Sequence, residues 1–209
     1  MPELPALPGL PALRWTHGAS GIDYDSGLAE LTLTAAAGTD WINDSLGAPG
    51  NHGATLLGFD APEGDFTLSA HVTVVGRRTT FDAAVLGLWR DDDHWAKLCF
   101  EFSPPGPAAR QGAAMVVSVV TDRYSDDANS TVVEADGVFL RLSRVGAAFA
   151  FHASVDGVSW DFVRSFRLAG SKPITVGFLS QAPLGPTCDA RFRDIRLLEG
   201  APQDLRDGS

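Results

Sequence analysis

The sequence predicts an all-β fold, a two-sheet antiparallel β-sandwich, on three observations. Apolar and polar residues alternate with a period of two along many short runs, and no segment has the sustained i, i+3, i+4, i+7 apolar stripe of a helix. Glycine and proline, 22 and 13 of the 209 residues, are scattered between the runs as tight turns require. Roughly a dozen strand candidates follow one another at spacings of about 8–15 residues, which favours a sandwich over a parallel α/β sheet.

Three runs show the alternation most clearly. The run from Asp65 to Val75 has apolar residues at every second position, and Trp95–Phe102 and Phe149–Val155 repeat the pattern. In the second run, Trp95, Lys97, Cys99 and Glu101 alternate with Ala96, Leu98, Phe100 and Phe102. One apolar face and one polar face are typical of a half-buried antiparallel strand, so we predict that structure for each run.

Turn signals predict how these strands connect. Asp91-Asp92-Asp93 separates two runs and predicts a hairpin, and Arg144–Ala147, which contains a glycine, predicts another. Asp156-Gly157 favours a type I′ turn, because that turn needs positive φ at both central residues. Ser103–Gly112 and Ser125–Thr131 are rich in small or polar residues, and we predict an exposed loop for each.

Length and composition predict one domain over residues 1–209, with a short proline-rich segment at about 1–13 and a short tail at about 200–209. Apolar residues make up 44% of the chain, which is enough for a large core. The N-terminal segment has no basic region and contains four prolines, unlike a secretory signal. No run reaches the roughly 20 apolar residues of a membrane helix. We therefore expect a cytoplasmic protein that does not enter membranes.

Charge and metal-ligand residues exclude several functions. With a net charge of −10 and no basic stripe, the chain lacks the cations that bind nucleic acid or anionic lipid. Cys99 and Cys188 have no CxxC or His/Cys spacing, so we expect two free, buried thiols and no zinc. We expect no metal and no cofactor.

Catalytic motifs are absent from the sequence. It has no GxSxG elbow, P-loop, HExxH or strand-linked GxGxxG. The strand around Glu101 reads KLCFEF, so it lacks the paired carboxylates that a glycosidase of this architecture places on one strand face. We therefore favour a protein that is not an enzyme. If it is one, Glu101 and Asp126 are the candidates for general acid and base.

The polar face of the hairpin that ends at Phe102 is a candidate binding surface. Trp89 and Trp95 flank its turn, and Lys97 and Glu101 follow on the same face. Two indoles beside a cation and a carboxylate suit stacking against a small ligand and hydrogen bonding to it. The same residues also suit cross-strand tryptophan packing with a surface Lys–Glu pair, which needs no ligand. Both interpretations are open at this point.

Three further positions extend this candidate surface. Trp41 lies beside short polar residues near a strand end, where it would line a pocket rim or plug the end of the sandwich. Tyr124 precedes Ser125-Asp126-Asp127, whose oxygens suit a sugar or a calcium ion, although turns explain the aspartates equally well. Arg141 alternates away from its apolar neighbours, where it could pair with Glu101 across the polar face.

Four segments, in order, resemble one family. They are GDFTLSAHVTV (Gly64–Val74), FDAAVLGLWRDDDHWAKLCFEF (Phe81–Phe102), VVSVVTDRYSDDA (Val116–Ala128) and LRLSRVGAAFAFHASVDGVSWDFVRSF (Leu140–Phe166). Together they resemble the DUF1349 family of concanavalin A-like sandwiches, which includes a yeast protein described as a regulator of enolase. The resemblance covers about Trp41 to Leu198. One residue departs from it, since Asp127 stands where the family often has an aromatic. Trp160, in the last segment, is expected to lie in the core.

The resemblance implies a concanavalin A-like jelly roll, an architecture shared with lectins and glucanases. By that analogy we predict a non-catalytic domain that binds a saccharide or sugar-like metabolite on the concave sheet face. Trp89 and Trp95 would stack against the ligand. Lys97, Glu101 and Arg141 would hydrogen-bond to its polar groups. A carbohydrate-active enzyme and a regulator that binds another protein are the alternatives.

Overall fold

The structure, a computed structural model, describes residues 4–106 and 112–209. These residues form fourteen β-strands and no helix, so they contain no helix long and apolar enough to cross a membrane. In chain order the strands are β1 (Arg14–Trp15), β2 (Gly21–Asp25), β3 (Glu30–Ala36), β4 (Leu57–Asp60), β5 (Phe66–Val75), β6 (Ala83–Asp91), β7 (His94–Ser103), β8 (Ala113–Asp122), β9 (Tyr124–Val132), β10 (Gly137–Val145), β11 (Ala148–Ser154), β12 (Asp161–Phe166), β13 (Thr175–Gln181) and β14 (Thr187–Glu199).

The strands form two antiparallel seven-stranded sheets. Sheet A has the order β1-β4-β13-β6-β7-β8-β9, and sheet B has the order β12-β11-β10-β5-β14-β3-β2. The sheets pack face to face through a shared layer of apolar side chains. The predicted two-sheet β-sandwich is therefore confirmed. The hairpins predicted at Asp91–Asp93 and Arg144–Ala147 join β6 to β7 and β10 to β11.

The core between the sheets follows the alternation in the sequence. The inward face of β5 is buried as predicted, with Phe66, Leu68, Ala70 and Val72 at most 1% exposed. The rings of Phe178 from sheet A and Phe192 from sheet B lie 5.2 Å apart, centroid to centroid, across the core. Burial of a large apolar side chain stabilises the fold by about 1.5–3 kcal/mol.

Much of the outer face of sheet A, on β6, β7, β8 and β13, is also buried, because a segment of the chain crosses it. We call residues 37–56, between β3 and β4, the roof segment. Its side chains Trp41, Ala54 and Leu56 form a second apolar cluster with residues of the sheet, namely Ala83, Val85, Trp89, Trp95, Cys99, Val117, Val119 and Leu179. The prediction that Trp95–Phe102 is only half-buried is therefore wrong, since its polar face is covered too.

A glycine in β6 makes room for the roof segment. A Cβ added to Gly87 would lie 3.0 Å from Leu56 Cδ1 and 3.3 Å from Trp41 Cζ3. The absence of a side chain at this position therefore lets the Trp41 indole lie directly against the strand.

Strand β9 corrects the loop predicted at Ser125–Thr131. It pairs with β8 and forms an edge of sheet A. Nearly all of its residues are exposed, and an edge strand of this kind has no apolar face to mark it in the sequence. Of the other predicted loop, Ser103–Gly112, residues 107–111 lie outside the described residues.

The connection between β11 and β12 is also longer than predicted. Residues 155–160 form a loop in place of a two-residue type I′ turn. Of the expected pair only Gly157 has a positive φ, 72°. Asp156 Oδ1 instead accepts hydrogen bonds from the backbone N–H groups of Val158 and Ser159, which stabilises the longer loop.

The tail, residues 200–209, folds back on the outer face of sheet B. His152 Nε2 lies 2.9 Å from the carbonyl oxygen of Leu205. The carbonyl oxygen of Gly208 accepts a hydrogen bond from Arg141 Nη2 at 2.8 Å. Different segments thus lie on the two outer faces of the sandwich, the roof segment on sheet A and part of the tail on sheet B. The prediction that Phe149–Val155 is only half-buried is therefore wrong as well, since Ala150, His152 and Ser154 are at most 2% exposed.

Candidate functional site

Strand register aligns polar residues on the outer face of sheet A. Gly87, Lys97, Val119 and Asp127 pair in turn across β6, β7, β8 and β9. Glu101 lies farther along β7 on the face of Lys97, because alternate residues of a strand share a face. We call Lys97, Glu101 and Asp127, together with Asp40 and Gln181, the polar cluster.

Lys97 is the buried cation of this face. Its side chain is 4% exposed, and its Nζ donates hydrogen bonds to Asp40 Oδ1 at 2.8 Å and to Gln181 Oε1 at 2.9 Å. Asp40 belongs to the roof segment and Gln181 to the end of β13, so the ammonium group links three parts of the chain. Burial by itself lowers the pKa of Lys97, but nearby acidic groups, Asp40 first among them, outweigh burial and raise it. Lys97 is therefore a cation at neutral pH.

Two carboxyl groups lie near Lys97. Burial raises the pKa of Glu101 more than the charge of Lys97 lowers it, and Ser103 Oγ donates a hydrogen bond to Glu101 Oε1 at 3.1 Å. Asp127 has exposed surface, yet partial burial of its carboxyl raises its pKa as well, again against the effect of Lys97. Carboxyls with raised pKa values beside a buried cation are typical of functional sites.

Cys99 lies between Lys97 and Glu101 on β7 but offers no nucleophile. It is fully buried, and burial raises the pKa of its thiol well above the ordinary value, so the sulfur stays protonated. Cys188, also a free and buried thiol, lies on β14 in the other sheet.

The tryptophans predicted to contact a ligand pack against one another. The ring centroid of Trp41 lies 4.6 Å from that of Trp89 and 5.7 Å from that of Trp95. Trp41 and Trp95 are fully buried and Trp89 is 8% exposed, so none of these three tryptophans presents a free indole face to a ligand. The two indoles of the hairpin therefore both pack on Trp41 of the roof segment, and Lys97 pairs with Asp40 of that segment.

The indole nitrogens of this cluster differ in their hydrogen bonding. Trp41 Nε1 donates to the carbonyl oxygen of Ala54 at 2.8 Å. Trp95 Nε1 is buried and has no hydrogen-bond partner in residues 4–106 and 112–209. A buried donor without an acceptor costs about 1–3 kcal/mol. This unpaired N–H belongs to a ring whose centroid lies 5.8 Å from Lys97 Nζ.

Asn43 fixes the roof segment to two strand turns. Its Nδ2 donates to the carbonyl oxygens of Asp92 and Arg123, each at 2.9 Å, and its backbone N–H donates to Ser125 Oγ at 2.9 Å. His52 Nε2 lies 2.6 Å from Asn43 Oδ1. The β6–β7 and β8–β9 turns are thereby held against the roof segment.

Tyr124 lies outside the polar cluster, at a cleft of about 360 Å³ that we call the rim cleft. The roof segment and two strand turns bound this cleft, and Asn43, His52, Asp93 and Arg123 are among its lining residues. Tyr124 is 61% exposed, so its ring is free to contact a molecule there.

Asp126 does not face Glu101, so the predicted acid–base pair is wrong. Alternation along β9 places Asp126 on the opposite face from Asp127. Its Oδ2 accepts a hydrogen bond from Arg164 Nη2 at 2.5 Å, and its carbonyl oxygen accepts one from Arg164 Nη1. Arg164 belongs to β12, an edge strand of sheet B, so this ion pair joins the edges of the two sheets.

Arg141 belongs to sheet B, so the predicted pair with Glu101 is also wrong. It lies on β10, and its side chain lines a cleft on the outer face of that sheet. Alternation shows which face of a strand a residue occupies, but not which sheet the strand joins. Trp160, expected in the core, packs on the Arg141 guanidinium at this outer face, with Cζ 4.2 Å from the ring centroid.

Sequence reasoning missed three members of the polar cluster. For Asp127 the sequence does contain a pattern that could have predicted its position. If the segment is treated as a strand, Ser125, Asp127 and Asn129 lie on one face of it. No local pattern could have predicted Asp40 and Gln181, because they are 57 and 84 positions from Lys97 in the sequence.

Comparison with known proteins identifies the family. The profile described as "Protein of unknown function (DUF1349)" matches residues 22–199. The chain belongs to the DUF1349 family. The resemblance seen in the four sequence segments is thereby confirmed. No curated protein matches the chain.

Solved structures share the architecture. A protein of Saccharomyces cerevisiae described as functionally unknown has a TM-score of 0.76 at 22% identity, over 90% of this chain and 96% of that one. A xylan β-1,4-xylosidase of Bacillus halodurans has a TM-score of 0.68 at 15% identity, over 95% of this chain but 41% of the enzyme. The carbohydrate-binding module CBM66 of Bacillus subtilis has a TM-score of 0.53 at 11% identity, over 88% and 95%. At these identities the likeness shows the fold alone, and the expected jelly roll is confirmed.

The Lys97–Asp40 ion pair leads to a stability prediction. Asp40→Asn leaves the buried ammonium group without its carboxylate, so we expect the free energy of unfolding to fall by about 3 kcal/mol. Urea unfolding followed by tryptophan fluorescence measures the loss. The control is Asp60→Asn, which breaks the exposed ion pair with Arg14 and should cost less than about 1 kcal/mol. Equal losses in the two variants would contradict the role assigned to Asp40.

Proposed function

We propose that the polar cluster on the outer face of sheet A binds a saccharide or sugar-like metabolite without catalysing a reaction. One observation carries the proposal: a buried ammonium group and two carboxyl groups with raised pKa values share one sheet face. Lys97 has its partners within the fold, but keeping Glu101 and Asp127 in such surroundings costs stability, and a ligand would explain the presence of these two carboxyl groups.

Sugar hydroxyls suit these groups chemically. Each hydroxyl can donate and accept a hydrogen bond, so one sugar can bridge the Asp127 carboxylate and the Lys97 ammonium group. Asp127 lies on the exposed edge strand, where a ligand can reach it, and Lys97 lies deeper in the same row. The unpaired Trp95 Nε1 is a further donor close to Lys97.

Neighbours in fold support this ligand class. CBM66 is by its name a carbohydrate-binding module, and the xylosidase is by its name an enzyme of xylan. Only the fold is shared at such low identity, so the ligand class is carried over as a proposal. The residues that would bind the ligand come from the geometry of this chain.

Hydrolysis of a glycosidic bond is the second candidate function. Glu101 and Asp127 lie on one face, and both have raised pKa values. Glycosidases use two carboxyl groups, one of them protonated so that it acts as a general acid. The candidate pair of acid and base is thus Glu101 and Asp127 instead of Glu101 and Asp126. The Asp126 carboxylate lies on the opposite face of β9 and is bound by Arg164.

The binding proposal predicts that Asp127→Asn weakens saccharide binding and Asp126→Asn does not. The two residues are neighbours on β9 with side chains on opposite faces, so each variant loses one negative charge at nearly the same place. Isothermal titration against a panel of mono- and oligosaccharides should identify a ligand, with Kd raised about tenfold by Asp127→Asn. Asp126→Asn should keep the wild-type Kd. Binding of no saccharide, or an equal loss in both variants, would reject the proposal.

Incubation with the same ligand separates binding from hydrolysis. If the protein only binds, chromatography recovers the saccharide intact. A new reducing end that appears with the wild type and is abolished in Glu101→Gln would favour the second candidate, because a glutamine cannot act as a general acid.

Glu101 also predicts how stability depends on pH. Because its pKa is raised in the folded state, the folded protein holds this proton more tightly than the unfolded chain does. The free energy of unfolding of the wild type should therefore decrease as pH rises from the ordinary carboxyl pKa of 4.5 through the folded value. Glu101→Gln cannot ionise, so it should be more stable than the wild type at neutral pH.

Urea unfolding at several pH values between about 4 and about 8 measures this difference. The advantage of Glu101→Gln should shrink as the pH falls toward 4.5, where the wild-type carboxyl is protonated. A residue that is needed for binding can lower the stability of the folded protein, so a more stable Glu101→Gln variant would agree with a binding role for Glu101. If Glu101→Gln is instead less stable at neutral pH, Glu101 serves the fold.

A further inference from the structure

A second cleft, of about 420 Å³, lies on the outer face of sheet B, on the far side of the sandwich from the polar cluster. Strands β5, β10 and β14 form its floor, and the loop 155–160 forms one wall. Strand register pairs Ser69 with Arg141 on one side and with Arg196 on the other. The floor therefore presents two guanidinium groups with a hydroxyl between them.

Arg141 is a buried cation without a carboxylate partner. The residue is 7% exposed, and within the described ranges no carboxylate forms an ion pair with it. Of the five N–H donors of a guanidinium, one on Nη2 reaches the Gly208 carbonyl oxygen at 2.8 Å, and the one on Nε is buried without a partner in the part of the chain that the structure describes. Buried charges in proteins are ordinarily paired, so this one calls for an explanation.

The aromatic and tail residues around Arg141 hold its guanidinium in place. Its Cζ lies 4.2 Å from the Trp160 ring centroid, a cation–π contact. Gly208, at a φ of 72°, is so close that an added Cβ would lie 2.5 Å from Arg141 Nη2 and 2.6 Å from Trp160 Cβ. Phe139 lines the cleft from the same strand as Arg141. The cation is therefore oriented before any ligand arrives, which lowers the entropy lost on binding.

Two aspartates also line the cleft, but neither neutralises Arg141. Asp156 directs Oδ1 to the backbone N–H groups of Val158 and Ser159, which hold its pKa down at about 2. Asp194 forms no ion pair with Arg141. Burial, with no carboxylate to oppose it, lowers the pKa of Arg141 to about 10.

We propose that this cleft binds a small molecule through a carboxylate or phosphate group, which pairs with Arg141 while the rest of the ligand lies against Trp160 and Phe139. A guanidinium matches the paired oxygens of either group. Ser69 is placed to donate a hydrogen bond to the same oxygens, and Arg196 adds a second positive charge. The site does not depend on the function proposed for the polar cluster.

The test titrates benzoate and inorganic phosphate, each at constant ionic strength, into the full chain by calorimetry. We expect saturable binding of at least one anion, with Kd raised about tenfold or more in Arg141→Met. Arg77→Met removes the same charge from an exposed arginine and should keep the wild-type Kd. Binding of benzoate alone assigns the site to carboxylates, and binding of phosphate alone assigns it to phosphate groups.

A second measurement decides the matter even if Arg141→Met does not fold. Nitrogen-15 NMR of the wild type should show anion-dependent shifts of the Trp160 indole N–H and of β10 amides, with the Lys97 amide unchanged. The proposal is overturned if neither anion saturates the wild type. It is also overturned if the folded Arg141→Met and Arg77→Met variants bind alike, or if the shifts lie on the outer face of sheet A.

Discussion

The buried ammonium group of Lys97 is the charge on which the outer face of sheet A depends. Without a partner it would cost several kcal/mol, so the fold must bring oxygen atoms to it. Asp40 does this from the roof segment, and Gln181 does it from β13. Placing Asp40 there also places the next residue, Trp41, against Gly87, where it completes the second apolar cluster. The Asp40–Trp41 segment therefore both neutralises Lys97 and completes the apolar packing on this face.

Each outer face of the sandwich contains a buried cation, and the two cations differ in their partners. On sheet A, Lys97 has a carboxylate partner and further carboxyl groups nearby, and the ligand that we propose for this face is neutral and rich in hydroxyls. On sheet B, Arg141 has an aromatic ring and a backbone carbonyl but, among the residues that the structure describes, no carboxylate partner. That face is suited to a ligand that supplies the negative charge. Under the two proposals, one sandwich carries two binding chemistries, each set by local side chains rather than by the fold.

Alternation in the sequence predicted strands well where one face meets the core and the other is open, as in β5. It failed for β7, because the roof segment that buries its polar face comes from a distant part of the chain. It missed β9, since an edge strand rich in polar residues has the composition of a loop. The family resemblance predicted the jelly roll, and the sequence also pointed to Lys97 and Glu101 of the polar cluster but not to its other three members. Contacts such as Lys97–Asp40, and the assignment of Arg141 to sheet B, are set by tertiary packing that no local pattern records.

The pKa of Lys97 in the folded protein tests the central claim most directly. The chain has only two lysines, Lys97 and Lys172, so side-chain nitrogen-15 NMR gives a simple spectrum, in which Lys172, 69% exposed, is the internal reference. The account predicts that Lys97 titrates above the ordinary lysine pKa of 10.5 in the wild type and at a lower pH in Asp40→Asn. A Lys97 that titrates below 10.5 in the wild type, or that is unaffected by Asp40→Asn, would contradict it.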